Sequence, residues 1–174
     1  MRPGRRRFIH AGAAGAALLA LVALVDRPRA QSNPRLRNLD ARGVELFNAL
    51  IPVVLAGVLP SESERQGAIA ETIEAFDRAL SGLDPEIQGE IAQMLSLLLY
   101  APTRIAVAGV WPAWREASPE EIAAFLRDWR DSFSELKRSG YRALTQLIQA
   151  AWYGNVRSWP AIGYPGPPTG PVTG

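Results

Sequence analysis

"SPEEIAAFLRDWRDSFSELKRSGYRALTQLIQAAWYGN", Ser118 to Asn155, carries the pattern that decides the fold. Ser118, Pro119 and Glu121 are the cues of a helix start: a capping hydroxyl, a proline where a missing N–H costs nothing, and a glutamate placed to close a capping box. Ile122, Phe125, Trp129, Phe133 and Leu136 then recur at three- and four-residue intervals, which predicts one helical stripe. Gly140 either breaks this run or is absorbed by it, and the period resumes with Tyr141, Leu144, Ile148 and Trp152 before Gly154-Asn155 closes it.

The same period extends upstream. Asp40 can cap a helix carrying Val44, Phe47, Leu50, Ile51 and Val54, and Ala49–Leu59 is apolar on every side, which predicts a central helix that Pro52 kinks or restarts. Ser61 and Glu64 form a second capping-box pattern, ahead of a face of Ile69, Ile73, Phe76 and Leu80. Gly82 is placed for a left-handed helix end, and Asp84-Pro85 starts a third helix faced by Ile87, Ile91, Met94, Leu95 and Leu98. "APTRIAVAGVWPAW" reads as a short helix or turn and then a loop holding Trp111 and Trp114. No segment alternates with a period of two, so the expected fold is all-α, a bundle of four to five helices with an irregular tail. The expected parts are an export signal over 1–30, a linker over 31–38, the bundle over 39–154 and a docking tail over 155–174.

Composition narrows the chemistry. The 174 residues include no cysteine and one histidine, His10, which falls in the leader. Thiol nucleophiles, disulfides, a Ser-His-Asp arrangement and a histidine metal site are therefore excluded from the bundle, and no catalytic, cofactor-binding or metal-binding residue is assigned. The formal charge of +2 belongs to the leader: residues 1–30 hold six arginines and one aspartate, whereas the remainder holds 13 Lys and Arg against 16 Asp and Glu. Nucleic-acid binding loses its electrostatic basis. Asp128 and Asp131, between Arg127 and Arg130, read as ion pairs on a solvated face, and Glu71 and Glu74 as a wet face.

The leader, "MRPGRRRFIHAGAAGAALLALVALVDRPRA", has a basic start and fifteen uncharged residues from Ala11 to Val25. That is shorter than the roughly 20 residues of a membrane span and fits the apolar region of a secretory signal. Arg5 and Arg6, followed by Phe8 and Ile9, resemble the twin-arginine export signal, although Gly4 and His10 stand where other residues are common. The expected location is the periplasm; an uncleaved leader would leave the chain membrane-associated.

Arg104 sits among apolar neighbours and needs a carboxylate or carbonyl partner. The expectations are an ion pair with an acidic residue of the Ser118 helix, or a contact with a partner. Trp129 and Trp152 fall on core stripes, whereas Trp111, Trp114 and Trp159 lie in loops or the tail, where tryptophan is enriched at binding hot spots. The tail, with Trp159, Tyr164, Pro165, Pro167 and Pro168, tends towards extended geometry and suits a strap that docks on a partner or folds back on its own bundle.

A twin-arginine leader, an all-α domain with "FLRDWRDS" and a tail reading "AWYGN…SWPAIGYPGPP" resemble the small subunits of periplasmic flavin-dependent dehydrogenases. These are similar to gluconate 2-dehydrogenase subunit 3 and to the small subunits of the sorbitol and fructose enzymes. The resemblance implies a non-catalytic subunit without cofactor. It also implies a large partner of the glucose–methanol–choline type that binds FAD and crosses the membrane through the twin-arginine machinery with this chain. The alternative from the residues alone is a stand-alone periplasmic protein holding an apolar small molecule between its helices.

Overall fold

A computed structural model describes residues 36–159, 163 and 165. Five long helices, α1 (Ala41–Val54), α2 (Glu62–Ser81), α3 (Pro85–Leu99), α4 (Pro119–Arg130) and α5 (Glu135–Tyr153), form an all-α bundle with no strand among the described residues. Helix α1 is central, packing on each of the other four, and α5 lies between α2 and α4. Its Leu46, Phe47, Leu50 and Ile51 are fully buried, and Phe47 meets Phe76 of α2 with ring centroids 4.1 Å apart. Removing such side chains from water at roughly 25 cal/mol per Å² is the main source of stability.

Helix ends follow local chemistry where the side chains are free to use it. At α4 the capping box is complete: the Glu121 N–H donates to Ser118 Oγ (3.2 Å) and the Ser118 N–H to Glu121 Oε2 (2.9 Å). We expect Ser118→Ala to cost about 1 kcal/mol in denaturant unfolding, with an unchanged m-value. The box expected at Ser61 does not form, because Ser61 Oγ lies against Ser63 Oγ. Gly82 is not left-handed (φ −91°); α2 ends instead in a tight turn, with the N–H groups of Gly82 and Leu83 donating to the carbonyls of Ala79 and Leu80. Helix α1 ends at Val54, two residues beyond Pro52, and Gly57 (φ 83°) carries the turn, so the central helix is shorter than the apolar run predicts.

The larger departure is at Asp131–Ser134. The single stripe through Phe133 and Leu136 is two helices: α4 stops at Arg130 and α5 begins at Glu135. The Ser134 N–H donates to Ser132 Oγ and Arg138 donates to the Ser132 carbonyl, so local polar groups hold the turn. Phe133 and Leu136 consequently stand in solvent (104% and 77% exposed). Gly140 is absorbed inside α5, beneath the Trp129 ring.

Candidate partner-binding surface

The sharpest break in the bundle builds the most unusual surface. Helix α3 ends at Leu99, Tyr100 is extended, and a short helix Ala101–Thr103 runs into a π-helical turn, Arg104–Ala108, bent 85° from α3. Pro102 has no N–H to give the Leu98 carbonyl four residues back, so the break strands acceptors. Side chains take them. Trp114 Nε1 donates to the Leu98 carbonyl (2.8 Å), and Thr103 Oγ1 to the Leu97 carbonyl (2.6 Å). Trp129 Nε1, on α4, donates to the Val107 carbonyl (3.0 Å).

Arg104 completes the pattern. It is buried, and its Nε and Nη2 donate to the carbonyls of Val110 and Trp111, both at 3.2 Å. The carboxylate expected from the Ser118 helix is not its partner. The carbonyls of a loop that doubles back around the side chain satisfy the guanidinium instead, and their partial charges do so without burying a second ion. Gly109 (φ 70°) makes the reversal that brings those carbonyls round. We expect Arg104→Lys to lose one of the two bonds, because a compact ammonium does not span a forked pair. The cost should be about 1 to 2 kcal/mol, with faster amide exchange at 109–113 than in α1.

The result is a loop fixed from behind with one indole left outside: Trp111 is 74% exposed. Trp114, expected beside it as a partner contact, is a core residue instead. It is 3% exposed, it packs 5.7 Å from Phe125, and its N–H plugs the helix break. Its loop position hid a role that follows from Pro102 twelve residues earlier. No described helix is long and apolar enough to cross a membrane.

At the tail, Trp159 is half-buried and Pro165 exposed, whereas Tyr164, Pro167 and Pro168 lie outside the described residues, as do Arg5, Arg6, Phe8 and Ile9. The tail's root is docked on its own bundle, at Glu71 of α2. Glu71 is therefore not simply a wet-face residue; Arg157, 86 residues away, holds its carboxyl below the usual carboxylate range. Nothing local in the sequence points to that pairing.

The charged turn after α4 is solvated, as its composition predicts, but its pairs differ. Arg130 takes its neighbour Asp131, and Lys137 of α5 takes Asp128. Arg138 and Arg142 both bond Glu135 and lower its pKa, Arg138 the more strongly. Phe133 and Leu136, which the sequence pattern assigned to a buried stripe, are the exposed apolar side chains of this charged region. A separate groove of about 340 Å³ opens between the end of α2 and α3, lined by Asn38, Leu80, Gln88, Ile91 and Leu95 among others. Comparison with protein families, characterised proteins and solved structures found no match.

Proposed function

We propose that this chain is the non-catalytic small subunit of a periplasmic FAD-dependent dehydrogenase of the glucose–methanol–choline type. It binds the large subunit, supports its folding and draws it through the twin-arginine route. The observation that carries the reading is Trp111: an indole kept in solvent on a loop whose carbonyls are tied down behind it. Ordering a surface before contact lowers the entropy lost on binding, and tryptophan supplies much of the energy where proteins meet. The second support is the leader. Twin-arginine export carries folded proteins, and a chain with no cofactor motif of its own gains from that route by escorting one that has a cofactor. The Pro-rich tail with Trp159, Tyr164, Pro165, Pro167 and Pro168 adds a second contact on this reading, and FAD resides in the partner.

The test is isolation of the C-terminally tagged protein from its native periplasm, with an absorbance spectrum of the eluate. A co-eluting chain several times larger, with flavin bands, is the expected result. A lone colourless chain contradicts it. The groove between α2 and α3 favours a second reading, a carrier of a small apolar molecule. Leu80, Ile91, Ala92 and Leu95 line it with the apolar surface that such a molecule would cover. Extraction of a bound small molecule from that colourless chain would establish it.

A further inference from the structure

Residues Asn155–Ser158 are held on α2 by polar contacts that meet at one side chain. Arg157 Nε donates to Glu71 Oε2 (3.0 Å), Arg157 Nη2 to Oε1 (2.8 Å) and Asn155 Nδ2 to Oε2 (3.1 Å). Asn155 also shapes the segment from within: its Oδ1 accepts the Arg157 N–H, and its carbonyl accepts the Ser158 hydroxyl. Ser158 is fully buried, while the one apolar side chain of the turn, Val156, is 65% exposed. Trp159, next in the chain, is half-buried, and the polar part of the hold is forked, with two parallel bonds that fix direction as well as distance. Both partners are also more than a third exposed (Arg157 38%, Glu71 41%), so water competes with the pair. A contact of that kind opens locally, at a far lower cost than unfolding the core beneath it.

We infer that Glu71, Asn155 and Arg157 form a latch that holds the root of the C-terminal tail on α2 and releases it while the bundle stays folded. The closed latch fixes where the chain stands on α2 as it reaches Ser158. The open one frees the segment from Asn155 onward. This holds whether the tail's final contact is a partner chain or its own bundle.

The Arg157–Ser158 bond reports the latch, because trypsin needs the guanidinium free of Glu71 and Ser158 out of its buried position. Release of residues 158–174 from the full chain is followed by mass spectrometry, alongside the thermal midpoint. Glu71→Ala removes the carboxylate from a helix that alanine suits, so the bundle should melt as before. Release should quicken about tenfold, the ratio expected when a forked charged pair and one amide bond are lost together. Asn155→Ala should move the rate in the same direction, and Glu90→Gln on α3 should leave it unchanged. Wild-type release rates in both Glu71→Ala and Asn155→Ala would overturn the latch. So would a rise in release matched by equal cleavage within α5 at Arg138 and Arg142, since the tail would then open only with the bundle.

Discussion

Gly140→Ala should destabilise the bundle by about 2 kcal/mol, although alanine is the better helix former by about 1 kcal/mol. A Cβ at residue 140 would lie 2.5 Å from Trp129 Cζ3, 3.1 Å from Cε3 and 3.3 Å from Met94 Sδ. Met94 can swing aside. Trp129 cannot, because its Nε1 is bonded to the Val107 carbonyl and its ring stands edge-on to Phe125 with centroids 4.9 Å apart. The strain must therefore pass into the α4–α5 contact or break the bond that steadies the π-helical turn. Denaturant unfolding of the single variants and of the double variant with Trp129→Phe measures this, and the double should lose less than the two singles added. A gain in stability from Gly140→Ala alone would show that the ring moves freely.

Asp77→Ala should cost about 3 kcal/mol, the range for a buried charged acceptor with several donors left unmet. Asp77 is 1% exposed on α2, and its carboxylate accepts three successive backbone N–H groups, from Arg37 (2.8 Å), Asn38 (2.8 Å) and Leu39 (2.9 Å). The Asn38 side chain adds a bond to the Asp77 carbonyl. These contacts fasten the approach to α1 onto α2 and seat Leu39 in the core. Asp77→Asn should lose most of the same stability, since one amide oxygen replaces two carboxylate oxygens and an NH₂ faces a donor. Thermal melts of both variants, with amide exchange at residues 37–39, decide the point. A shift below about 0.5 kcal/mol, the usual size for a surface site, would show that water replaces the carboxylate there.

What the sequence makes legible is what neighbours in sequence decide. The stripes of α1 and α2, and that of α3 from Ile91 to Leu98, lie buried or half-buried where their period placed them, and the Ser118–Glu121 cap is complete, because each depends on residues within one or two turns; Ile87, at the start of the α3 stripe, is 43% exposed. Phe133 and Leu136 fail for a related reason. Their spacing continues the stripe of α4, but Ser132 and Ser134 offer the backbone local bonds that end it, and a period counted through a break assigns the wrong face. A serine-flanked aromatic between two acidic residues is the cue that a restart competes with continuation.

The remaining misses are contacts between distant residues. Asp77 meets donors about forty positions earlier, and Glu71 meets Arg157 from the far end of the chain. Their identity as acidic residues on an exposed-looking helix face carries no trace of either role. Trp114 is intermediate. Pro102 announces an unpaired carbonyl at Leu98, and a nearby indole is a donor of the right kind, but only the fold brings them together. For the candidate surface, Trp111 was legible as a loop aromatic. The Arg104 clamp that holds its loop was legible only as a buried cation in search of oxygen.

On the proposed reading, this chain supplies the export signal for a larger flavoprotein bound to it. Replacing Arg5 and Arg6 together by lysine, then fractionating the cells and following both chains by mass spectrometry, tests it directly. The small chain and the flavin-bearing chain should both be lost from the periplasm and recovered together inside the cell. A large chain still exported at the wild-type level after the arginine pair is gone would contradict it.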